Sequence, residues 1–455
     1  MKKNNSNRNF IIFWIIAILF LTGWYFFWQA RTKGISSVVS GGFLDMLPMD
    51  AEKREKLKTI GYFADYLMTE DDQEKTFMIL FQNNMELRPG GGYIGSFGVV
   101  KIKDGKITLL QAHDLSNFDG RIPDGVEPPY PIKETLNVNS WKLRDSNWSP
   151  DFSENAKKAE EFYYLGKGEE SFDGIIAINT GVLSSFLEIT GPVEVEGYPG
   201  TYDSENAILN LEYQVEQGAY KQGEKRGDRK SIMAPLADAI IKKATDLDNS
   251  KKIDLAEMLL DDLNSKDIQL YFKNSELERR AELAGWSGEV KRNWNEDYLM
   301  LVDANLGSLK SDYFMKRSFE YKVDFSGDIP KAQLKITYDH TGKTKDWMTS
   351  DYLTYLRVYT QNGSWLQDKK NVGDVKFVED LGKKYFGSIV TVKLGQSKSI
   401  EFNYDLPKNI NSENYNLLIQ KQSGVSDVPG KITIIDKNGK EKIFDITLAG
   451  DWKME

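Results

Sequence analysis

Arginine and aspartate gather at three loop positions of this 455-residue chain, a pairing suited to binding and transferring a phosphate-bearing group. Guanidinium groups grip phosphate oxygens through paired hydrogen bonds, and carboxylates hold a divalent cation through oxygen. The first position is Asn83-Asn84-Met85-Glu86-Leu87-Arg88-Pro89-Gly90-Gly91-Gly92. Here Gly90, Gly91 and Gly92 would let backbone N–H groups approach an anion beside Arg88. A tight turn needing positive φ is the plainer alternative, and the Lys-Ser/Thr ending of a Walker loop is missing. The second, Leu143-Arg144-Asp145-Ser146-Asn147-Trp148, stands before a helix. Arg144 would project toward an anion there and Asp145 and Asp151 toward a cation, with a salt bridge between loop and domain as the alternative. The third, Lys225-Arg226-Gly227-Asp228-Arg229-Lys230, also precedes a helix. Arg226 and Arg229 beside the free N–H donors of a helix start would frame a diphosphate; a solvated basic loop competes with that view.

Other chemistries are excluded by composition. The chain has no cysteine, which rules out disulfides, thiolate catalysis and cysteine zinc sites. Its two histidines are His113 and His340. His113 adjoins Asp114, but neighbours on a strand point to opposite faces, so they do not form a dyad. A formal charge of −9 argues against nucleic acid as a partner, because that binding depends on clustered Lys and Arg neutralising phosphates.

The elements that must position these loops follow from hydrophobic periodicity. Residues 10–28, FIIFWIIAILFLTGWYFFW, are nineteen positions without a charge, close to the ~20 needed to cross a bilayer, with Trp24, Tyr25 and Trp28 where an aromatic belt would lie. A cleaved signal peptide is the alternative, but Trp28 is too bulky three residues before a cut after Ala30. The expectation is a cytoplasmic tail over residues 1–9, an uncleaved anchor over 10–28, and a linker with an amphipathic helix over 29–70. The remainder is then extracellular, tethered to the cell membrane by one span.

Residues 71–315 alternate strands and helices, predicting an α/β domain with a mixed sheet and flanking helices. KTFMILFQ, GYIGSFGVVKIK, KITLLQAH and FDGIIAIN read as strands, with Asp104-Gly105 as a hairpin turn. Ser149-Pro150-Asp151 reads as a helix start with Ser149 at the N-cap, GVLSSFLEIT as a helix, and further helices begin near Asp203 and after Asp228. Residues 316–455 change to short alternating strands with turns at Asn362-Gly363 and Asn438-Gly439. About seven strands over ~130 residues suggest an all-β sandwich of immunoglobulin-like size.

The strings QNNMELRPGGGYIGSFGVVKIKDGKI, LRDSNWSPDF, FDGIIAINTGVLSSFLEITGPVEV, DYLMLVDANLGSLKSDY and LLIQKQSG resemble, in order, the bacterial surface family known as domain of unknown function 4012. A more distant resemblance, carried by FDGIIAINTGVLSSFLEITGPVEV, ENAILNLEYQV and KRGDRKSIMAPLADAI, is to the LytR-CpsA-Psr phosphotransferases. It implies an anchored extracellular domain that moves a glycopolymer from a polyprenyl-pyrophosphate carrier onto the cell envelope. Arg226, Asp228 and Arg229 would fall in that family's arginine-rich loop. Its Pro-Arg-Asp motif matches Ala112-His113-Asp114 by order, keeping the acid but not the guanidinium, and Arg144-Asp145 by residue type. The resemblance thus implies magnesium held by Asp114 or Asp145 with Asp228, and Arg88, Arg144, Arg226 and Arg229 stabilising phosphoryl charge. The competing expectation is a non-catalytic surface protein that binds wall glycan, with Trp141, Trp148 or Trp365 as sugar platforms.

Overall fold

The computed structural model describes residues 50–218 and 247–454, together with Ile232, Pro235, Leu236, Ala239, Ile240 and Lys243. Residues 10–28 lie outside the described residues, as do Arg226, Asp228 and Arg229. Among the described residues no helix is long and apolar enough to cross a membrane.

Helix α1 (Ala51–Met68) begins at Asp50, whose carboxylate accepts the Lys53 N–H. Strands β1 (Glu74–Arg88), β2 (Gly91–Lys103) and β3 (Lys106–Asp114) form an antiparallel meander. Asp104 and Gly105, with φ of 46° and 75°, make the β2–β3 turn as their types require. Helix α2 (Phe152–Leu165) starts later than its sequence suggests. Asp151 rather than Ser149 is the N-cap, because its carboxylate reaches the Glu154 N–H. Strand β4 (Gly174–Asn179) lies parallel to β1, Phe77 to Gln82 pairing with Gly174 to Asn179. Helix α3 (Gly181–Thr190) follows at once, then the ribbon β5 (Val193–Val195) and β6 (Tyr198–Tyr202), and helix α4 (Ala207–Tyr213). The chain turns before α4 because the Asp203 carboxylate binds the Glu205 and Asn206 amides, so the helix opens after Asp203 rather than at it. Helix α5 (Asn249–Asn264), strand β7 (Ile268–Phe272) and helix α6 (Ser275–Ala284) complete this part, whose sheet order is β3-β2-β1-β4-β7.

Alternation along β1 sorts its side chains into two cores. Phe77 and Ile79 join Ile176, Val182, Phe186 and Leu211 under α3 and α4, whereas Met78 and Leu80 join Phe152, Ala156, Phe162 and Ile175 under α2. A strand buried on both faces reads as the continuous apolar run seen in KTFMILF.

The β-rich part consists of β8 (Asp297–Val302), β9 (Met315–Asp324), β10 (Lys331–His340), β11 (Tyr352–Gln361), β12 (Trp365–Lys370), β13 (Lys376–Asp380), β14 (Lys383–Val392), β15 (Ser397–Asp405), β16 (Leu417–Gln420), β17 (Val428–Ile435), β18 (Glu441–Leu448) and β19 (Trp452–Lys453). They form two six-stranded sheets, β12-β15-β10-β9-β17-β18 and β13-β14-β11-β8-β16-β19, that share one core. The architecture is therefore mixed α/β followed by a β-rich region. Its twelve strands exceed the seven expected, and two pairs are parallel: β17 with β9 and β16 with β8. Strand β8, which the sequence places before residue 315, sits inside the second sheet, because its run YLMLV after Asp297 is apolar and suits a central strand.

A polar strap after β16 joins the two parts. The Gln422 amide donates to the carbonyls of Arg88 and Asp303, Ser423 meets Asn179, and Lys266 donates to the Lys421 carbonyl and Asp451. Hydrogen bonds of this number across a buried seam hold the parts in one register, since each would otherwise leave a costly unpaired group.

Candidate functional site

The C-terminal end of the parallel pair β1 and β4 opens into a cavity of about 580 Å³, the place where ligands settle on open α/β sheets. One wall is apolar, built by Phe81, Ile178, Val182, Leu183, Leu211 and Val215. The lining also carries Glu86, Arg88, Tyr93, Asp114, Arg144 and Asp145. Tertiary folding thus brings together Arg88, Arg144, Asp114 and Asp145, four of the residues singled out by type and spacing.

Their roles differ. Arg88 is 2% exposed and its guanidinium is spoken for: Nε donates to Asp145 Oδ1 at 2.8 Å, Nη2 to Glu86 Oε1 at 3.0 Å, and Nη1 to the carbonyls of Leu87 and Asn305. It is a buried tie between β1, the Arg144 loop and the β-rich part, not an anion grip held in reserve. Asp145 is correspondingly committed to Arg88.

Arg144 is 38% exposed along its side chain and faces the cavity, with Nε 2.9 Å from Asp119 Oδ2. Burial pushes the Asp119 carboxyl up to about 6, with Arg144 opposing. Asp114 caps the short helix Leu115–Phe118 through Oδ1 and the Ser116 N–H at 2.8 Å. Asp151 is removed from the cation role by its cap and by Arg292 and the Val290 N–H.

The glycines prove to be packing residues. Gly90 N–H donates to the Asn147 carbonyl and Gly92 N–H to Gln82 Oε1, both at 3.0 Å. A Cβ at Gly90 would sit 2.1 Å from Asn155 Nδ2 and one at Gly91 2.3 Å from Gln82 Oε1. Gly91 has φ of 136°, so the plainer turn alternative describes Gly90, Gly91 and Gly92, and none of them lines the cavity. His113 is stacked on Phe97 at 4.6 Å, and burial lowers its pKa to about 4, which keeps it neutral.

Magnesium finds no complete ligand set among the described residues: no three such side chains converge, and Asp145 is taken by Arg88. Asp228 lies outside the described residues, with Arg226 and Arg229. Asn83 and Glu86 of the first motif line the cavity too, as do residues that sequence reasoning missed: Glu212, Ser308, Lys310 and Trp347. No local motif signals them, because Lys310 and Trp347 come from segments well beyond the α/β strands.

Beneath the site, Asp262 of α5 accepts from Ser185 at 3.0 Å through Oδ1, while its Oδ2 has no partner. Burial, reinforced by Asp267, pushes its pKa from 3.8 to about 7. Between those values the folded chain holds a proton that the unfolded chain has lost, so this group's contribution to stability falls as pH rises from about 4 to 7. Asp262→Asn is expected to raise stability at pH 8 by up to ~4 kcal/mol and to have little effect near pH 4. Urea melts at the two pH values check this; equal stability of the two proteins at pH 8 would contradict it.

No curated protein matches the chain. The X-ray structure of Lin1025 protein from Listeria innocua is similar at 12% identity and a TM-score of 0.23, over 48% of this chain and 78% of that one. Residues 72–215, a shorter stretch than the quoted strings span, match the family described as Protein of unknown function (DUF4012).

Proposed function

We propose that the chain is a membrane-anchored extracellular protein whose cavity takes a polyprenyl-diphosphate-linked glycan and transfers its glycosyl phosphate to an envelope acceptor, as LytR-CpsA-Psr proteins do. The observation that carries this reading is the two-sided cavity: an apolar wall fit for a prenyl chain and, in the same space, Arg144 with carboxylates. In the reaction an acceptor hydroxyl oxygen bonds to the sugar-side phosphorus. The bond from that phosphorus to the bridging oxygen breaks, polyprenyl monophosphate leaves, and the hydroxyl proton passes to a lining carboxylate such as Asp114. Arg144 would stabilise the charge that develops on the phosphoryl oxygens.

The lining carries Glu86, Asp114, Asp145 and Glu212 against Arg88, Arg144 and Lys310, four acids and three cations. A diphosphate therefore needs more positive charge than these residues supply. Arg226 and Arg229, or magnesium held with Asp228, are the proposed sources. The anchor over residues 10–28 would keep the cavity near the membrane where the lipid carrier resides, with the β-rich part as an immunoglobulin-like spacer.

One observation favours the second reading, a non-catalytic glycan-binding surface protein: Arg88 is spent on Asp145 and Glu86, leaving a single partly exposed arginine among the described lining residues. The test is incubation of the full-length chain with a polyprenyl-diphosphate-linked glycan, with magnesium or with a chelator, scored for polyprenyl monophosphate. Release that requires the protein and falls with the chelator is expected. Binding of the glycan without release would support the second reading.

A further inference from the structure

The cavity has a third face, to which segments that follow helix α6 contribute. Ser308 and Lys310 belong to the segment Asp303–Asp312, which is braced from within. The Asn305 side chain donates to the Leu309 carbonyl and to Asp312, its Oδ1 accepts the Gly307 N–H, and Arg317 bridges Asp303 and Asp312 at 2.8 and 2.6 Å. Ser308 holds φ of 53°, a left-handed conformation that costs a non-glycine residue and persists only where the surroundings enforce it.

Trp347 comes from the loop between β10 and β11. Asp346 Oδ1 accepts the Met348 and Thr349 N–H groups at 2.8 and 2.9 Å, and Met348 and Thr349 are buried. Trp347 is thereby left half-buried at the tip, against the cavity. Its ring lies 6.3 Å from that of Tyr213 at 63°. Next to Tyr213, Glu212 accepts from Asn83 Nδ2 at 2.9 Å and pairs with Lys310 at 3.4 Å.

An indole face flanked by a carboxylate, an amide, a hydroxyl and an ammonium fits a particular chemistry. A prenyl chain needs apolar surface all round, since buried polar groups left without partners are costly. A diphosphate would meet the Glu212 carboxylate. A pyranose has an apolar C–H face to lay on the indole and hydroxyls at its edge for the polar groups, the combination for which an aromatic body beside polar handles is suited. We propose that this face is a saccharide subsite, holding the sugar next to the diphosphate with Trp347 as its platform. The assignment deepens the function proposed above and rests on it.

The test applies labelled full-length chain to an array of bacterial envelope glycans free of lipid and phosphate, and measures binding of sugar-free undecaprenyl diphosphate separately. Wild type is expected to retain at least one glycan. Trp347→Ala should weaken that binding about tenfold, Trp347→Phe should restore most of it, and Phe377→Ala on β13, outside the cavity and 56% exposed, should leave it unchanged. Undecaprenyl diphosphate binding should stay within about twofold in all three. Displacement of the array glycan by a lipid-linked glycan would assign the sugar to the donor, and simultaneous binding would assign it to the acceptor; either upholds the subsite. Retention of no glycan, or wild-type binding by Trp347→Ala, would overturn it. Glycan binding that depends on Trp347, without undecaprenyl diphosphate binding, would instead leave the subsite standing and sink the transferase reading.

Discussion

Arg88→Ala is expected to cost roughly 3–5 kcal/mol of stability, the penalty for stranding buried charge. The substitution leaves Asp145, 5% exposed, and Glu86, 12% exposed, facing each other's neighbourhood without their shared cation. It also takes the guanidinium's hydrogen bonds from the carbonyls of Asn305 and Leu87, the latter keeping the Asn305 N–H, and so loosens the tie between β1 and the β-rich part. Arg88→Lys should recover little, because one ammonium cannot span two carboxylates and two carbonyls in the fixed fork that the guanidinium provides. Denaturant melts of the three proteins are the measurement. A loss below ~1 kcal/mol, the range of exposed ion pairs, would mean that Arg88 is a dispensable surface contact and that the buried knot has been misread. The same experiment separates architecture from chemistry: a residue that only gripped a ligand would change binding and leave the melt where it was.

Arg144→Ala is expected to behave in the opposite way, lowering polyprenyl monophosphate release by about 10²–10³-fold, the effect of removing one preorganised donor from a developing oxyanion. Its stability cost should be small. Arg144 is partly exposed, and its partner Asp119, whose pKa is already about 6, can take up a proton when the guanidinium is gone. Melts below pH 6 should therefore superimpose on wild type, whereas above it the variant should be modestly weaker, because an unpaired Asp119 must then ionise in a buried place. Arg144→Lys should retain partial activity through its charge while losing the paired hydrogen bonds. Activity of Arg144→Ala within a few-fold of wild type would remove the described guanidinium from the mechanism and leave glycan binding as the better account of the cavity.

These two arginines illustrate the limit of spacing as a guide. In the sequence both read as loop residues near acids, and nothing local distinguishes them. Arg88 became structural because the strand it ends, the Asp145 turn and the Asn305 segment all close over it. Arg144 stayed partly accessible: Asp119 lies against its Nε, and the rest of its side chain lines the cavity. Gly90 to Gly92 followed the same logic: three glycines in a row serve an anion cradle or a crowded turn equally well, and the nearness of Asn155, Gln82 and Asn83 decided for the turn.

Local chemistry determined much of the rest from sequence. The apolar run of β1, the Asp104-Gly105 hairpin, the α/β alternation and the later change to short strands are properties of neighbouring residues, so periodicity and turn types suffice to read them. The pairing of β8 with β16 and of β9 with β17, the strap at Lys421–Gly424 and the arrival of Lys310 and Trp347 at a cavity on β1 are contacts between distant segments. No pattern within a dozen residues encodes them, because they depend on how two cores pack and on which polar groups must find partners once buried. Burial decided which charges became scaffold, and the same closure left Arg144 and Trp347 facing the space where a ligand would sit.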